Sequence, residues 1–258
     1  WQFQKFDFTS FEGPIVMTSN CLIEPTMAYK NRIFTTNVVG WPGVDHIEGG
    51  DYSKVIEIAQ EEDGFDEDEK ENYITIGFGK NTILSAQDDI INMINQGDIK
   101  DFFVIGGCDG NEEERTYFKD LALATPKDSV ILTLGCGKYR FNNLIKDDIN
   151  GIPRVLDLGQ CNDSYGAVQV AVAIANRLNV DVNSLPIHFA VSWFEQKAVA
   201  VLLSLLHLGI KDIYLGPNLP AFITPNVLNV LVETYQIKPT NNRNVEKDLE
   251  EMLKLQFL

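Results

Sequence analysis

The sequence lacks most of the short patterns that reveal a metal or redox site. It contains 4 cysteines and 3 histidines in 258 residues, which is sparse for a disulfide-rich scaffold. No Cys-x-x-Cys pair occurs, so the spacings typical of zinc ribbons, ferredoxins and thioredoxin-like proteins are absent. The histidines His46, His188 and His207 share no metal-ligand spacing. A metal site in this chain would have to be assembled from distant segments.

Basic residues and long apolar runs are also scarce. The chain has 21 Lys and Arg against 37 Asp and Glu, a net charge of −16, which argues against nucleic acid or an anionic membrane as a partner. No apolar run approaches the ~20 residues that a membrane-spanning helix needs. No signal peptide is visible, so we expect a cytoplasmic protein. Because the chain opens on Trp1, we expect it to be a piece of a longer protein.

What the sequence does contain is a repeated pattern of short apolar runs that end in glycine and cysteine. Three such runs, FFVIGG, VILTLG and RVLDLGQ, lead directly to Cys108, Cys136 and Cys161. Apolar runs closed by glycine predict buried parallel strands, and the carboxyl edge of an open α/β sheet is where ligands bind. Three thiols at this edge predict a soft-metal site. The alternative is scattered buried thiols, which behave as small hydrophobic residues.

The order of the predicted strands and helices indicates the fold. From Asn72 onward, predicted strands alternate with predicted helices, beginning with a strand over Tyr73–Phe78, and this alternation predicts a parallel sheet covered on both faces. The run Glu61–Glu71 holds eight acids and one lysine, which indicates a solvated loop and a domain boundary. We therefore predict an α/β protein with two Rossmann-like units of parallel sheets flanked by helices.

Other segments have a weaker or divided interpretation. Gly77–Thr82 begins like a dinucleotide-binding fingerprint but lacks its third glycine, and Gly135–Lys138 resembles part of a phosphate loop without the required spacing. Glu195 follows a predicted strand and begins an apolar helix, where a carboxylate either stabilises the helix end or serves as an oxygen ligand to iron. Lys197 either extends along the helix surface or donates protons to a bound substrate.

Longer segments carry a specific resemblance, and they occur in order along the chain. They are Met17–Cys21, Val39–Val44, Gly106–Gly110, Leu132–Asn142, Gly159–Asp163, Ser192–Ala198 and Leu215–Ala221. Together they resemble the hybrid cluster protein family, also called prismane protein or hydroxylamine reductase, over essentially the whole chain. The resemblance implies an oxidoreductase of anaerobic nitrogen metabolism that takes electrons from a redox donor and reduces hydroxylamine or nitric oxide.

The resemblance also implies roles for individual residues. It makes Cys21, Cys136 and Cys161 thiolate ligands of an iron–sulfur–oxygen hybrid cluster, Cys108 the carrier of a persulfide that bridges to iron, and Glu195 a carboxylate ligand. Asn20 and Lys197 match pocket residues that steer substrate and protons. As catalytic residues we therefore expect Cys108, Glu195, Lys197 and Asn20.

The resemblance further implies what this chain does not contain. The family has an N-terminal helical domain with a four-iron four-sulfur cluster, and further hybrid-cluster ligands upstream of Cys21. Residues 1–70 would be the remainder of a middle Rossmann-like domain and residues 71–258 the C-terminal one, so we expect this piece alone to be inactive. Two alternatives stay open: a carbon monoxide dehydrogenase-like protein, and a non-enzymatic scaffold or S-nitrosylation domain that acts through Cys108.

Overall fold

The computed structural model describes residues 3–19, 21–108, 116–193, 196–240 and 244–254. The chain separates into two compact units, Trp1–Asn72 and Tyr73–Leu258. None of the described helices is long and apolar enough to cross a membrane.

The smaller unit is built on a short parallel sheet. Its described elements are α1 (Gln4–Ser10), β1 (Ile15–Met17), β2 (Ile33–Thr36), β3 (Asp45–Ile47) and α2 (Ser53–Glu61). The strands pair in the order β1-β2-β3, all parallel. Every residue of β2 is buried, as expected for a central strand covered on both faces. The fully buried Tyr29 packs edge-to-face against Phe8 and closes this small core.

The larger unit is organised around a parallel sheet of six strands among its described residues. These are β4 (Asp101–Gly107), β5 (Ser129–Thr133), β8 (Val155–Asp157), β9 (Ile187–Trp193), β10 (Ile213–Pro217) and β11 (Lys238–Pro239), in the spatial order β11-β10-β9-β4-β5-β8. A small antiparallel pair, β6 (Asp148–Ile149) and β7 (Ile152–Pro153), precedes β8. The order places β4, β5 and β8 side by side.

Helices cover both faces of this sheet. They are α3 (Lys80–Ser85), α4 (Gln87–Gln96), α5 (Tyr117–Ala124), α6 (Ser164–Leu178), α7 (Gln196–His207), α8 (Pro225–Tyr235) and α9 (Val245–Lys254), with 3₁₀ turns at Gly137–Arg140, Cys161–Asp163 and Val182–Ser184. Because side chains alternate along a strand, Phe102 packs with α4 and α6 while Phe103 packs with α5 and α9. Burying each ring contributes about 1.5–3 kcal/mol. The predicted α/β class with parallel sheets flanked by helices is confirmed.

One predicted strand is wrong. Residues 73–78 form no strand in the structure; their backbone is joined to β8 by the Phe78 N–H, which donates to the Asp157 carbonyl at 3.2 Å. Tyr73 and Ile76 are 76% and 66% exposed. The neighbouring β8 is three residues long and lies at the sheet edge, so it offers too little surface to bury an alternating strand.

Candidate metal centre

Three of the predicted site cysteines lie at the same edge of the larger sheet. Cys108 directly follows β4, Cys136 follows β5 after two residues, and Cys161 follows β8 after three residues. The three strands are parallel neighbours, so their carboxyl ends meet at one edge. This is the position at which open α/β sheets bind ligands.

The backbones that carry these cysteines stay in contact beyond the strand ends. The Gly107 N–H donates to the Leu134 carbonyl at 3.0 Å, and the Gly135 N–H donates to the Gly159 carbonyl at 3.0 Å. These bonds form a continuous backbone ladder across the segments that precede Cys108, Cys136 and Cys161. The spacing of the three segments is therefore set by main-chain hydrogen bonds.

Glycine is required at three positions of this ladder, one of which is Gly159, with φ +119° and a Cβ position that would overlap the Asp163 carboxylate. Gly107 has φ +117°, and a Cβ there would overlap the carbonyl oxygen of Ser192 in β9. Gly135 has φ +83°, and its Cβ would lie 2.7 Å from the Gly107 carbonyl oxygen. All three conformations are ones that residues with a side chain rarely adopt. The glycines thus allow neighbouring backbones to approach closely in the residues just before the cysteines.

The thiols differ in burial. Cys108 is 2% and Cys136 9% exposed, whereas Cys161 is half-buried. No disulfide joins any of the four cysteines, all of which lie in the described residues. Cys161 begins a 3₁₀ turn that is fixed by a capping box, in which the Gln160 N–H donates to the Asp163 carboxylate at 2.8 Å. The Ser164 hydroxyl donates to the Cys161 carbonyl at 2.7 Å and fixes the same turn.

A buried lysine that sequence analysis left without a role lies within this edge. Lys138 is 3% exposed, and its Nζ donates to Asp157 Oδ1 at 2.6 Å and to the Gly159 carbonyl at 2.9 Å. Both charges lie at apolar, glycine-rich strand ends, LTLGCGK and VLDLG. The sequence shows that each charge lies at a strand end, but it does not show that the two side chains meet.

Cys21 belongs to the smaller unit. It is half-buried, and it follows β1 by a few residues. The buried Gln4 side chain holds this segment: its amide nitrogen donates to the Cys21 carbonyl, and its oxygen accepts the Ile23 N–H at 3.1 Å. The segment around Cys21 is thereby tied to α1.

The remaining predicted site residues are less fully defined. Asn20 and Glu195 lie outside the described residues. Lys197 is half-buried and is the second residue of α7, the helix that follows β9 at the same sheet edge as Cys108. Its role remains a prediction.

The donor chemistry of this edge fits an iron–sulfur group, because soft thiolate ligands select such clusters. Among the described residues, however, no group of three or more His, Cys, Asp or Glu side chains is arranged to hold a metal ion. Glu195 lies outside that part of the chain. Convergence of the four thiols and Glu195 on one point therefore stays a prediction.

These features define a class: an open parallel α/β protein with cysteines at the carboxyl edge of its sheet. Solved structures with this fold include carbon monoxide dehydrogenase IV from Carboxydothermus hydrogenoformans, with a TM-score of 0.71 and 18% identity over 93% of this chain and 47% of that one. Carbon monoxide dehydrogenase from Thermococcus sp. AM4 has a TM-score of 0.69 and 21% identity, over 97% of this chain and 46% of that one. At these identities the likeness is one of fold.

The particular family follows from sequence. Residues 1–250 match the prismane/CO dehydrogenase family, and the chain belongs to it. It is 54% identical over 253 residues to hydroxylamine reductase of Zymomonas mobilis, covering 98% of this chain and 46% of that protein. It is 51% identical over 254 residues to hydroxylamine reductase of Thermodesulfovibrio yellowstonii, covering 98% and 47%. The predicted resemblance is confirmed, and the chain spans about half the length of these curated relatives.

Proposed function

We propose that this chain is part of an iron–sulfur oxidoreductase that reduces hydroxylamine or nitric oxide. The observation that carries the proposal is the 54% identity, over 98% of the chain, to a protein named hydroxylamine reductase. The thiols at three adjacent strand ends support it, because they are the donors that such a cofactor needs. The electrons would come from a separate redox donor, and the protein would be cytoplasmic.

The proposal gives each predicted site residue a role in binding the cluster. Cys21, Cys136 and Cys161 would bind iron of a hybrid iron–sulfur–oxygen cluster as thiolates, Cys108 would carry a persulfide, and Glu195 would bind through its carboxylate. When bound, the cluster supplies electrons and a Lewis-acidic iron. Further ligands and a four-iron four-sulfur cluster would lie in the part of the longer protein outside this chain. Residues 1–70 and 71–258 would be the middle and C-terminal Rossmann-like domains.

The chain's own residues would manage the substrate and its protons. Reduction of hydroxylamine breaks the N–O bond and consumes two electrons and two protons, giving ammonia and water. Lys197 Nζ, at the start of α7, would deliver a proton to the departing oxygen, and Asn20 would orient the N–O group. The buried sheet edge around Cys108 and Cys136 would keep bulk water from the reacting atoms.

Metal analysis of the full-length protein, purified without oxygen, tests this function. We expect iron and acid-labile sulfide in stoichiometric amounts, iron-edge anomalous scattering at the carboxyl edge of the larger sheet, and hydroxylamine-dependent oxidation of a reduced dye. A full-length protein that contains neither iron nor sulfide after anaerobic preparation, and that leaves hydroxylamine unchanged, would contradict the proposal.

Carbon monoxide oxidation is the second candidate, favoured by the fold shared with the two dehydrogenases above. The 17–21% identity to such structures is far below the identity to hydroxylamine reductases. Nickel content distinguishes the two functions, because a nickel-containing protein that oxidises carbon monoxide would contradict our proposal.

A nitrosyl-transfer role for Cys108 needs an accessible thiolate, and the 2% exposure of Cys108 gives that role no support.

A further inference from the structure

Lys138 connects two of the cysteine-bearing segments. It lies in the 3₁₀ turn Gly137–Arg140, immediately after the segment of Cys136. Its two acceptors belong to the other segment: Asp157 is the last residue of β8, and Gly159 precedes Cys161 by two residues. A single buried ammonium group therefore links the strand end that carries Cys136 to the one that carries Cys161.

Further bonds make this link a closed network. Asp157 Oδ1, which accepts from Lys138, also accepts the Gly159 N–H at 2.9 Å. The Gly159 carbonyl, which accepts from Lys138, also accepts the Gly135 N–H at 3.0 Å. The salt bridge is largely shielded from solvent, since the Lys138 side chain is 3% exposed and that of Asp157 12%. Because buried charges are tolerated only when paired and hydrogen-bonded, this network favours one arrangement of the two segments.

We propose that Lys138 is a positioning residue for the metal centre. Resting on the proposed function, the inference is that Lys138 holds the Cys136 and Cys161 segments at the separation that two thiolate ligands of one cluster need. Its ammonium group also balances the Asp157 carboxylate beside the segments that would carry the ligands. Without Lys138 this carboxylate would stand unpaired and would disfavour the reduced, more negative state of a bound cluster.

Arg154 provides a matched control at the opposite edge of the same two strands. It is also buried, and it immediately precedes β8. Its guanidinium donates to the Ser129 carbonyl at the start of β5 at 3.1 Å and to the Pro126 carbonyl at 2.9 Å. Lys138→Met and Arg154→Met each remove one buried cation that joins β5 to β8. Only the former lies near the cysteines.

The first measurement needs no metal. The full-length protein is stripped of iron, and the alkylation rates of Cys136 and Cys161 by iodoacetamide are followed by mass spectrometry. We expect Lys138→Met to raise the Cys136 rate about tenfold, the effect of losing one buried charge-assisted hydrogen bond on local opening. Lys138→Arg should restore a rate close to wild type. Equal increases in Lys138→Met and Arg154→Met would overturn the proposal, because they would show a general loss of stability.

Asp157→Asn guards against a Lys138→Met protein that does not fold, because it keeps the side-chain shape while removing the paired charge. It should also raise the alkylation rates of Cys136 and Cys161, and unchanged rates would count against the proposal.

The second measurement is an EPR-monitored redox titration of the iron-loaded full-length protein. We expect a lower midpoint potential in Lys138→Met and an unchanged one in Arg154→Met. Identical potentials and spectra in Lys138→Met and wild type would overturn the electrostatic part.

The two proposals fail in different ways. A wild-type protein that binds no iron contradicts the proposed function, while the alkylation rates still decide whether Lys138 positions the two segments. A wild-type protein that binds iron, with Lys138→Met unchanged in both thiol reactivity and potential, overturns the role of Lys138 alone.

Discussion

At the amino edge of the larger sheet polar side chains bond to one another, whereas its carboxyl edge combines close contacts between glycine backbones, three cysteines and the buried Lys138–Asp157 link. His188 Nε2 lies 2.8 Å from Asp101 Oδ1, with both residues buried, and Lys100 bonds to Asp128 at 2.7 Å. At the other edge, Gly107 and Gly135 adopt positive φ values beside Cys108 and Cys136. The contrast is between an edge held by polar side-chain pairs and an edge of close backbone contacts, where we propose that the cofactor binds.

The largest expected effect is at the carboxyl edge. Cys136→Ser replaces a soft thiolate by a hydroxyl, so we expect iron content and hydroxylamine reduction to fall by about tenfold or more. His188→Asn at the amino edge is the control, and it should keep the iron content of wild type. Iron quantification on anaerobically purified proteins measures both. Full iron loading in Cys136→Ser would erase the distinction between the two edges.

Gly107→Ala tests whether the carboxyl edge depends on close backbone approach. We expect a loss of about 3 kcal/mol in the free energy of unfolding, from a positive φ and an overlap with the Ser192 carbonyl. Gly97→Ala is the matched control, because Gly97 has φ +80° but nothing within 4 Å of its Cβ position. It should cost about 1 kcal/mol. Urea unfolding of both proteins gives the comparison, and equal losses would remove the overlap as a cause.

Asp101→Asn tests the amino edge as a structural region. Removing the carboxylate weakens its bond to His188 in a buried setting, so we expect a loss of about 2 kcal/mol in stability with unchanged iron content. Asp98→Asn is the control, because Asp98 accepts from Asn150 at an exposed position, where a pair contributes little. A loss of iron in Asp101→Asn would show that the amino edge also supports binding.

The smallest expected effect concerns the exposed pair of Lys100 and Asp128. The hydrogen bond from Lys100 lowers the pKa of Asp128 below its ordinary value, and the same bond raises the pKa of Lys100. A carboxyl group with a lowered folded pKa stabilises the protein above its unfolded pKa, and this contribution disappears as the pH falls through the folded value. Asp128→Asn should therefore lower the urea midpoint slightly at pH 7.

The difference between Asp128→Asn and wild type should shrink as the pH falls below the ordinary carboxyl pKa of about 3.9, and it should vanish below the lowered folded pKa, where Asp128 is protonated in both the folded and the unfolded protein. High salt should also reduce it, because exposed pairs are screened. A difference that is the same at pH 7 and at low pH would mean that charge is not its cause.

Much of this contrast could be predicted from sequence. Apolar runs closed by glycine correctly placed Cys108, Cys136 and Cys161 after strands, because a buried parallel strand needs that pattern. The strand predicted over residues 73–78 failed, since pattern alone does not say whether a neighbouring strand is long enough to pair. Lys138 was missed because its burial depends on a partner in another segment. A propensity for charge says nothing about which carboxylate a lysine meets.

The backbone ladder limits how the carboxyl edge could be redesigned to bind a chosen metal. Thiols can be exchanged for imidazoles or carboxylates one at a time, since each projects from its own segment. The distance between the three backbone segments, however, depends jointly on Gly107, Gly135 and Gly159. A redesign that keeps these three glycines keeps the spacing between the segments. A redesign that replaces any of them shifts the backbone and, with it, the metal-binding side chains on the neighbouring segments.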